Sequence, residues 1–146
     1  MQTASGATID LGGIDVRFLV EAPDSGGAAT VFECAVAGGA QVPPPHSHDA
    51  FDETVYGLEG VLTFTIDGRS REIGPGDSVC IQRGQVHQFV NAGSVDAKFL
   101  SVATPGVFGA DYFTEIRDVL TAAAGGPPDV AALLDVMRRH GLTPAP

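Results

Sequence analysis

Positive charge is scarce in this sequence: 8 Lys and Arg stand against 18 Asp and Glu in 146 residues, a formal net charge of −10 at pH 7. Nucleic-acid binding needs basic side chains that displace counterions from phosphate, so that class is excluded. An anionic membrane surface is excluded on the same ground. No apolar run approaches the roughly 20 residues of a membrane-spanning helix. The start, "MQTASGATID", has neither a basic stretch nor an apolar one resembling a signal peptide, so the expected location is the cytoplasm. Cysteine is also sparse. Cys34 and Cys80 each sit in an apolar, strand-like run, "TVFECAVA" and "DSVCIQ", which predicts two buried free thiols in a reducing compartment. Two cysteines do not make a zinc site without other ligands.

What is abundant is apolar: 44% of residues are hydrophobic, enough for a compact domain. The length suits one domain, residues 1–146, with a single core. From about residue 14 to 104 the chain reads as short Val-, Ile-, Phe- and Thr-rich runs broken by Gly, Pro and Asp. No helical segment separates these runs, which predicts an all-β sandwich or barrel and not a parallel α/β sheet. "IDGR" and "GPGD" read as tight turns with Gly68 and Gly76 at positive φ. After Pro105 the period changes, and two helices are expected within about 110–141. Tyr112, Ile116 and Val119 carry the first; Val130, Leu133, Leu134 and Met137 carry the second, with Asp129 as its N-cap. Their apolar faces are expected to cover an outer face of the barrel, or to pair in a homodimer.

Histidine is rare as well, four residues in all, yet three fall in one pattern. On an extended strand His46 and His48 point to the same face. Glu53 follows closely enough to fold back toward them, and His87 lies at the head of another strand-like run. Three imidazoles and a carboxylate suit a divalent transition ion. Asp49 and Asp52 are expected as solvated rim residues, and His140 as a helix C-terminal residue with no chemical role. By strand parity Val55 shares a side with Glu53, and Phe89 with His87, so both are candidate pocket residues.

"GAQVPPPHSHDAFDETVYGLEG" resembles the first motif of the cupin family, with Gly39, His46, His48, Glu53 and Gly60 on its glycine, His-x-His, glutamate and glycine positions. "GDSVCIQRGQVHQFVN" resembles the second, with Gly76, Gly84, His87 and Asn91 in place. One extra residue separates Gly39 from His46, and Gln82 stands where the family usually has proline. The resemblance implies a small double-stranded β-helix, or jelly-roll barrel, holding one divalent metal (Fe, Ni, Mn or Zn) on His46, His48, Glu53 and His87. The C-terminal tail is more weakly similar to small bacterial cupins likened to flavonol dioxygenases. That likeness implies O₂-dependent cleavage of a small enolisable or aromatic substrate, with Glu53 as general base. A metal-dependent isomerase or lyase, or a binding and sensing cupin without turnover, are the other readings open to the same residues.

Overall fold

The computed structural model describes residues 6–146. Eleven strands and three helices follow one another in chain order. The strands are β1 (Ile9–Asp10), β2 (Ile14–Val20), β3 (Thr30–Val36), β4 (His46–His48), β5 (Asp52–Glu59), β6 (Leu62–Ile66), β7 (Arg69–Ile73), β8 (Ser78–Ile81), β9 (His87–Val90), β10 (Ala97–Thr104) and β11 (Leu142–Pro144). The helices are α1 (Ala22–Ser25), α2 (Ala110–Ala122) and α3 (Val130–Arg139). The strands form two antiparallel sheets, β1-β2-β3-β10-β5-β8 and β11-β4-β9-β6-β7. This is the all-β architecture with a helical extension that the strand and helix pattern predicts, and it agrees with the jelly roll that the cupin resemblance implies.

Period-two burial sets which side chains reach the space between the sheets. Along β10, Ala97, Phe99, Ser101 and Ala103 are all buried, while the alternate positions are not. Along β3 the buried set is Thr30, Phe32, Cys34 and Val36. Register places Phe99 opposite Cys34 on one side and opposite Gly57 of β5 on the other. Gly57 is required there: an added Cβ would lie 2.0 Å from the Gly74 carbonyl oxygen, where the turn before β8 crosses the strand. The β6–β7 turn has Asp67 and Gly68 at φ 49 and 81, and Gly76 sits at φ 86. Those turns were legible in "IDGR" and "GPGD".

Two expectations are corrected. Cys34 is buried, but Cys80 is exposed. The reason is parity: Ile81 points into the core, so its neighbour on β8 points out. The helices also do not lie over an outer barrel face. Asp129 caps α3 as predicted, its Oδ1 accepting from the Ala132 N–H. However, α2 turns Tyr112 and Phe113 toward the space between the sheets, and both belong to the wall of the interior cavity described below. Strand β11, absent from the sequence reading, then pairs with β4 and sets Leu142 opposite His48.

Candidate metal centre

The three histidines come from one sheet and the carboxylate from the other. Register puts His46 of β4 directly across from His87 of β9. His48 is two residues further along β4 on the same face, so all three rings converge. The ring centroids of His46 and His87 are 4.6 Å apart, and those of His48 and His87 4.5 Å. One ligand atom from each lies within 4.8 Å of the others, and all three residues are buried. From β5, Glu53 Oε1 lies 3.7 Å from His48 Nε2 and 3.8 Å from His87 Nε2.

Backbone carbonyls orient two of the rings. His46 Nδ1 is 2.9 Å from the Pro44 oxygen, and His87 Nδ1 is 3.0 Å from that of Gln85. With Nδ1–H donating to a carbonyl, Nε2 is the nitrogen left with a lone pair, the arrangement a metal-binding imidazole needs. The ring of His48 stacks on Phe51 with centroids 4.2 Å apart, and its buried Nδ1 has no hydrogen-bond partner. Burial, reinforced by His87, lowers the pKa of His46 to about 4. Burial and then the neighbouring His87 and His46 lower that of His48 to about 2. Both are therefore neutral near pH 7, as ligands must be.

Glu53 is held from behind. Ser101 Oγ donates to Oε2 at 2.5 Å, leaving Oε1 as the oxygen turned to the imidazoles. Burial raises the Glu53 pKa, opposed by His87 and by the Ser101 hydrogen bond. A carboxylate ionised in an apolar cavity with no Lys or Arg on its wall is poorly compensated, and a dication would supply the missing countercharge. The donor set thus fits a divalent transition ion. Ser101 was missed from sequence, although it is the one polar residue in the inward row Ala97, Phe99, Ser101, Ala103.

The cavity around these groups measures about 70 Å³. Phe89 lines it, together with Phe64 and Phe99, whose rings pack at 5.3–5.6 Å from one another. Val55 is completely buried but is not part of the cavity wall; it fills the core beneath. Tyr56 faces outward. Cys34 also lines the cavity, where burial and then Glu53 push its thiol pKa up and keep it neutral. Asp49 is exposed and Asp52 half-buried, and neither lines the cavity; both are bonded. Thr143 Oγ1 donates to Asp49 at 2.7 Å, and Asp52 Oδ1 accepts from the Arg83 N–H at 2.9 Å. The second bond ties the start of β5 to the turn before His87. Gln82, in the place of the usual proline, uses its extra N–H on Gln85 Oε1 at 2.8 Å. His140 ends α3 and pairs with Glu115 of α2, outside the metal centre.

Two sheets with three inward histidines and a carboxylate beside them define a β-sandwich of the jelly-roll class whose histidine triad could hold a metal ion. A model of the cupin domain matches residues 32–103, so this part of the chain is a cupin domain. Over 73 residues, 50% of this chain, it is 35% identical to quercetin 2,3-dioxygenase of Bacillus subtilis (strain 168). That match spans 21% of the relative, about a fifth of its length. Among solved structures, KdgF from Halomonas sp. aligns over 68% of this chain and 86% of its own, at 21% identity and a TM-score of 0.60. At that identity the likeness speaks for the fold alone. A cupin-superfamily sugar phosphate isomerase from Silicibacter pomeroyi aligns over 64% of this chain and 60% of its own, at 30% identity and a TM-score of 0.56. No helix among the described residues is long and apolar enough to cross a membrane.

Proposed function

We propose that this cupin is a metal-dependent dioxygenase acting on a neutral, enolisable aromatic substrate of flavonol type. The observation that carries the reading is the pairing of a metal-type donor set with a wall that has no cation. Among the described residues, neither Lys nor Arg lines the metal cavity, while Phe32, Phe64, Phe89 and Phe99 do. A phosphate or dicarboxylate substrate would meet no side-chain countercharge there, whereas an aromatic ring would meet ring edges and faces. The partial identity to a quercetin dioxygenase agrees with this preference.

A bound divalent ion supplies Lewis-acid polarisation of a substrate oxygen and, when redox-active, a route for electrons to O₂. The chain's own groups do the rest. His46, His48 and His87 would hold the ion, with Glu53 Oε1 as a fourth ligand that gives up this contact when it acts as base. Glu53, with Oε2 fixed by Ser101, takes the enol proton on Oε1, so that enol and carboxylate become enolate and carboxylic acid. The aromatic wall excludes water from the electron-rich enolate, leaving O₂ as the partner for carbon–carbon cleavage. An isomerase or lyase would use the same proton transfer without O₂. The homodimer and the cytoplasmic location belong to this proposal too; a single 15.0 kDa mass in light scattering would remove the dimer.

The test is O₂ consumption by metal-reconstituted protein against a panel of flavonols and small enolisable ketones. Glu53→Gln, at metal occupancy matched to wild type, is expected to lose roughly 10²–10⁴-fold in turnover, the usual worth of a positioned base. Turnover without O₂ uptake would move the protein to the isomerase or lyase reading. Binding without turnover would leave a sensor.

A further inference from the structure

The metal cavity is too small for a whole flavonol. Its volume of about 70 Å³ corresponds to about two water molecules at roughly 30 Å³ each. Sites for ligands of that size run to roughly 300–1,000 Å³. A second cavity of about 510 Å³ opens between α1 and the start of α2. Among the described residues, Phe108 is the one that walls both cavities. Its ring lies 5.1 Å from that of Phe51, which itself stacks on His48, and 5.0 Å from that of Tyr112. The residues before α2, Pro105 to Gly109, belong to no strand or helix. Phe108 is therefore a partition, one ring thick, between the large cleft and the metal ligand His48.

The chemistry of the cleft is specific. Glu21, Asp24 and Asp111 place carboxylates on it, the first two each accepting a backbone N–H bond, and no Lys or Arg lines it; its one basic side chain, His140, is paired with Glu115. At its inner side is Thr30, 1% exposed, whose Oγ1 has no hydrogen-bond partner. Register puts Thr30 opposite Ala103, and Ala103 opposite Glu53, so Thr30 belongs to the same inward layer as the metal centre. Carboxylates and an unused hydroxyl accept hydrogen bonds from neutral hydroxyl groups and repel anions.

We infer that this cleft is the subsite for the hydroxylated aryl portion of the substrate, and that Phe108 determines which substrates connect it to the metal centre. The inference rests on the proposed enol-binding role of the metal cavity. Turning the Phe108 ring aside joins the two spaces, so that an enol head reaches the histidines while the aryl group stays in the cleft. A substrate without an aryl group has no use for the cleft and no dependence on Phe108.

Two ligands separate the cases: 3,4′-dihydroxyflavone, which carries the head and a hydroxylated aryl group, and 3-hydroxy-4-pyranone, which is the head alone. Binding to Co(II)-loaded protein is followed by the visible cobalt bands, and 3,4′-dihydroxyflavone binding to metal-free protein by its own fluorescence. Phe108→Ala is expected to raise affinity for 3,4′-dihydroxyflavone by about 10-fold or more and to change that for the pyranone by less than about twofold. Ala22→Trp, which fills the cleft from its rim, is expected to weaken 3,4′-dihydroxyflavone by about 10-fold, in loaded and metal-free protein alike, and to spare the pyranone. Equal 3,4′-dihydroxyflavone affinity in wild type and both variants overturns the subsite. If the pyranone fails to bind loaded wild type while the metal-free protein keeps the dependence on Ala22, the metal-centre reading fails and the cleft stands.

Discussion

The barrel interior and the C-terminal cap both wall the metal cavity, but they are fixed by different forces. Three of the four candidate ligands are set by strand register and then by a directional bond, His46 by Pro44, His87 by Gln85 and Glu53 by Ser101, while His48 rests on register and on the ring of Phe51. The cap meets the cavity through packed rings, Phe108, Tyr112 and Phe113, with centroids 4.9–5.5 Å apart. Hydrogen bonds fix an atom within tenths of an ångström, whereas ring packing tolerates rotation and repacking. The side of the cavity to which the proposal assigns chemistry is thus the more rigid one, and the side to which it assigns substrate contact the more adaptable one.

The largest effect should come from breaking the rigid side. His46→Ala or His87→Ala is expected to take metal content well below one ion per chain, since a site shaped for four donors loses one and the remaining three stay where register placed them. Elemental analysis reads this directly, and equal content in wild type and both variants would remove the ligand assignment.

Next comes a cut into the adaptable side. Met137 of α3 is 1% exposed and belongs to the main core. Met137→Ala is expected to cost about 2–5 kcal/mol in denaturant unfolding, through lost burial and the space left behind. Metal content should stay near that of wild type, because no ligand is touched. Metal loss in proportion to stability would show that cap and barrel form one unit, and the contrast drawn above would fail.

A smaller effect is expected one bond behind the ligands. Ser101→Ala leaves Glu53 Oε2 buried without its donor, and partners of this kind are worth about 10–100-fold in metal affinity or activity. Competition with a chelator measures the affinity. An unchanged value would mean that strand register alone places Glu53.

The same contrast explains what the sequence discloses. His46, His48, Glu53 and His87 stand out because spacing along a strand translates directly into facing, and the two motifs bracket them. Gly68 and Gly76 are legible for a similarly local reason. Ser101 is 48 residues from Glu53 in sequence, and its importance rests on a register between β10 and β5 that no local pattern states. The helices show their periodicity, but where an apolar stripe docks is decided by the partner surface. Strand β11, pairing with β4, fastens the end of the cap beside His48. Cys80 was a different kind of miss, since parity with Ile81 already points it outward.

The smallest expected effect lies where the two cap helices are tied together. Glu115 of α2 pairs with Arg139 at the end of α3, 2.6 Å between Oε1 and Nη1, and with His140. Arg139 first, and then His140, hold the Glu115 carboxyl below its ordinary value of 4.5. A carboxylate depressed on folding contributes stability that is complete above the unfolded value and disappears as the pH falls through the folded one. The tie should therefore be intact at neutral pH and lost in acid below 4.5. Solvent screens an exposed pair, so the contribution is small. It is best read as a slope: Glu115→Gln should flatten the acid decline of the melting temperature slightly and leave metal content unchanged at every pH where wild type retains its ion. If the variant instead shifts the pH at which metal is released, the cap governs the metal centre, and the division between a rigid and an adaptable wall must be redrawn.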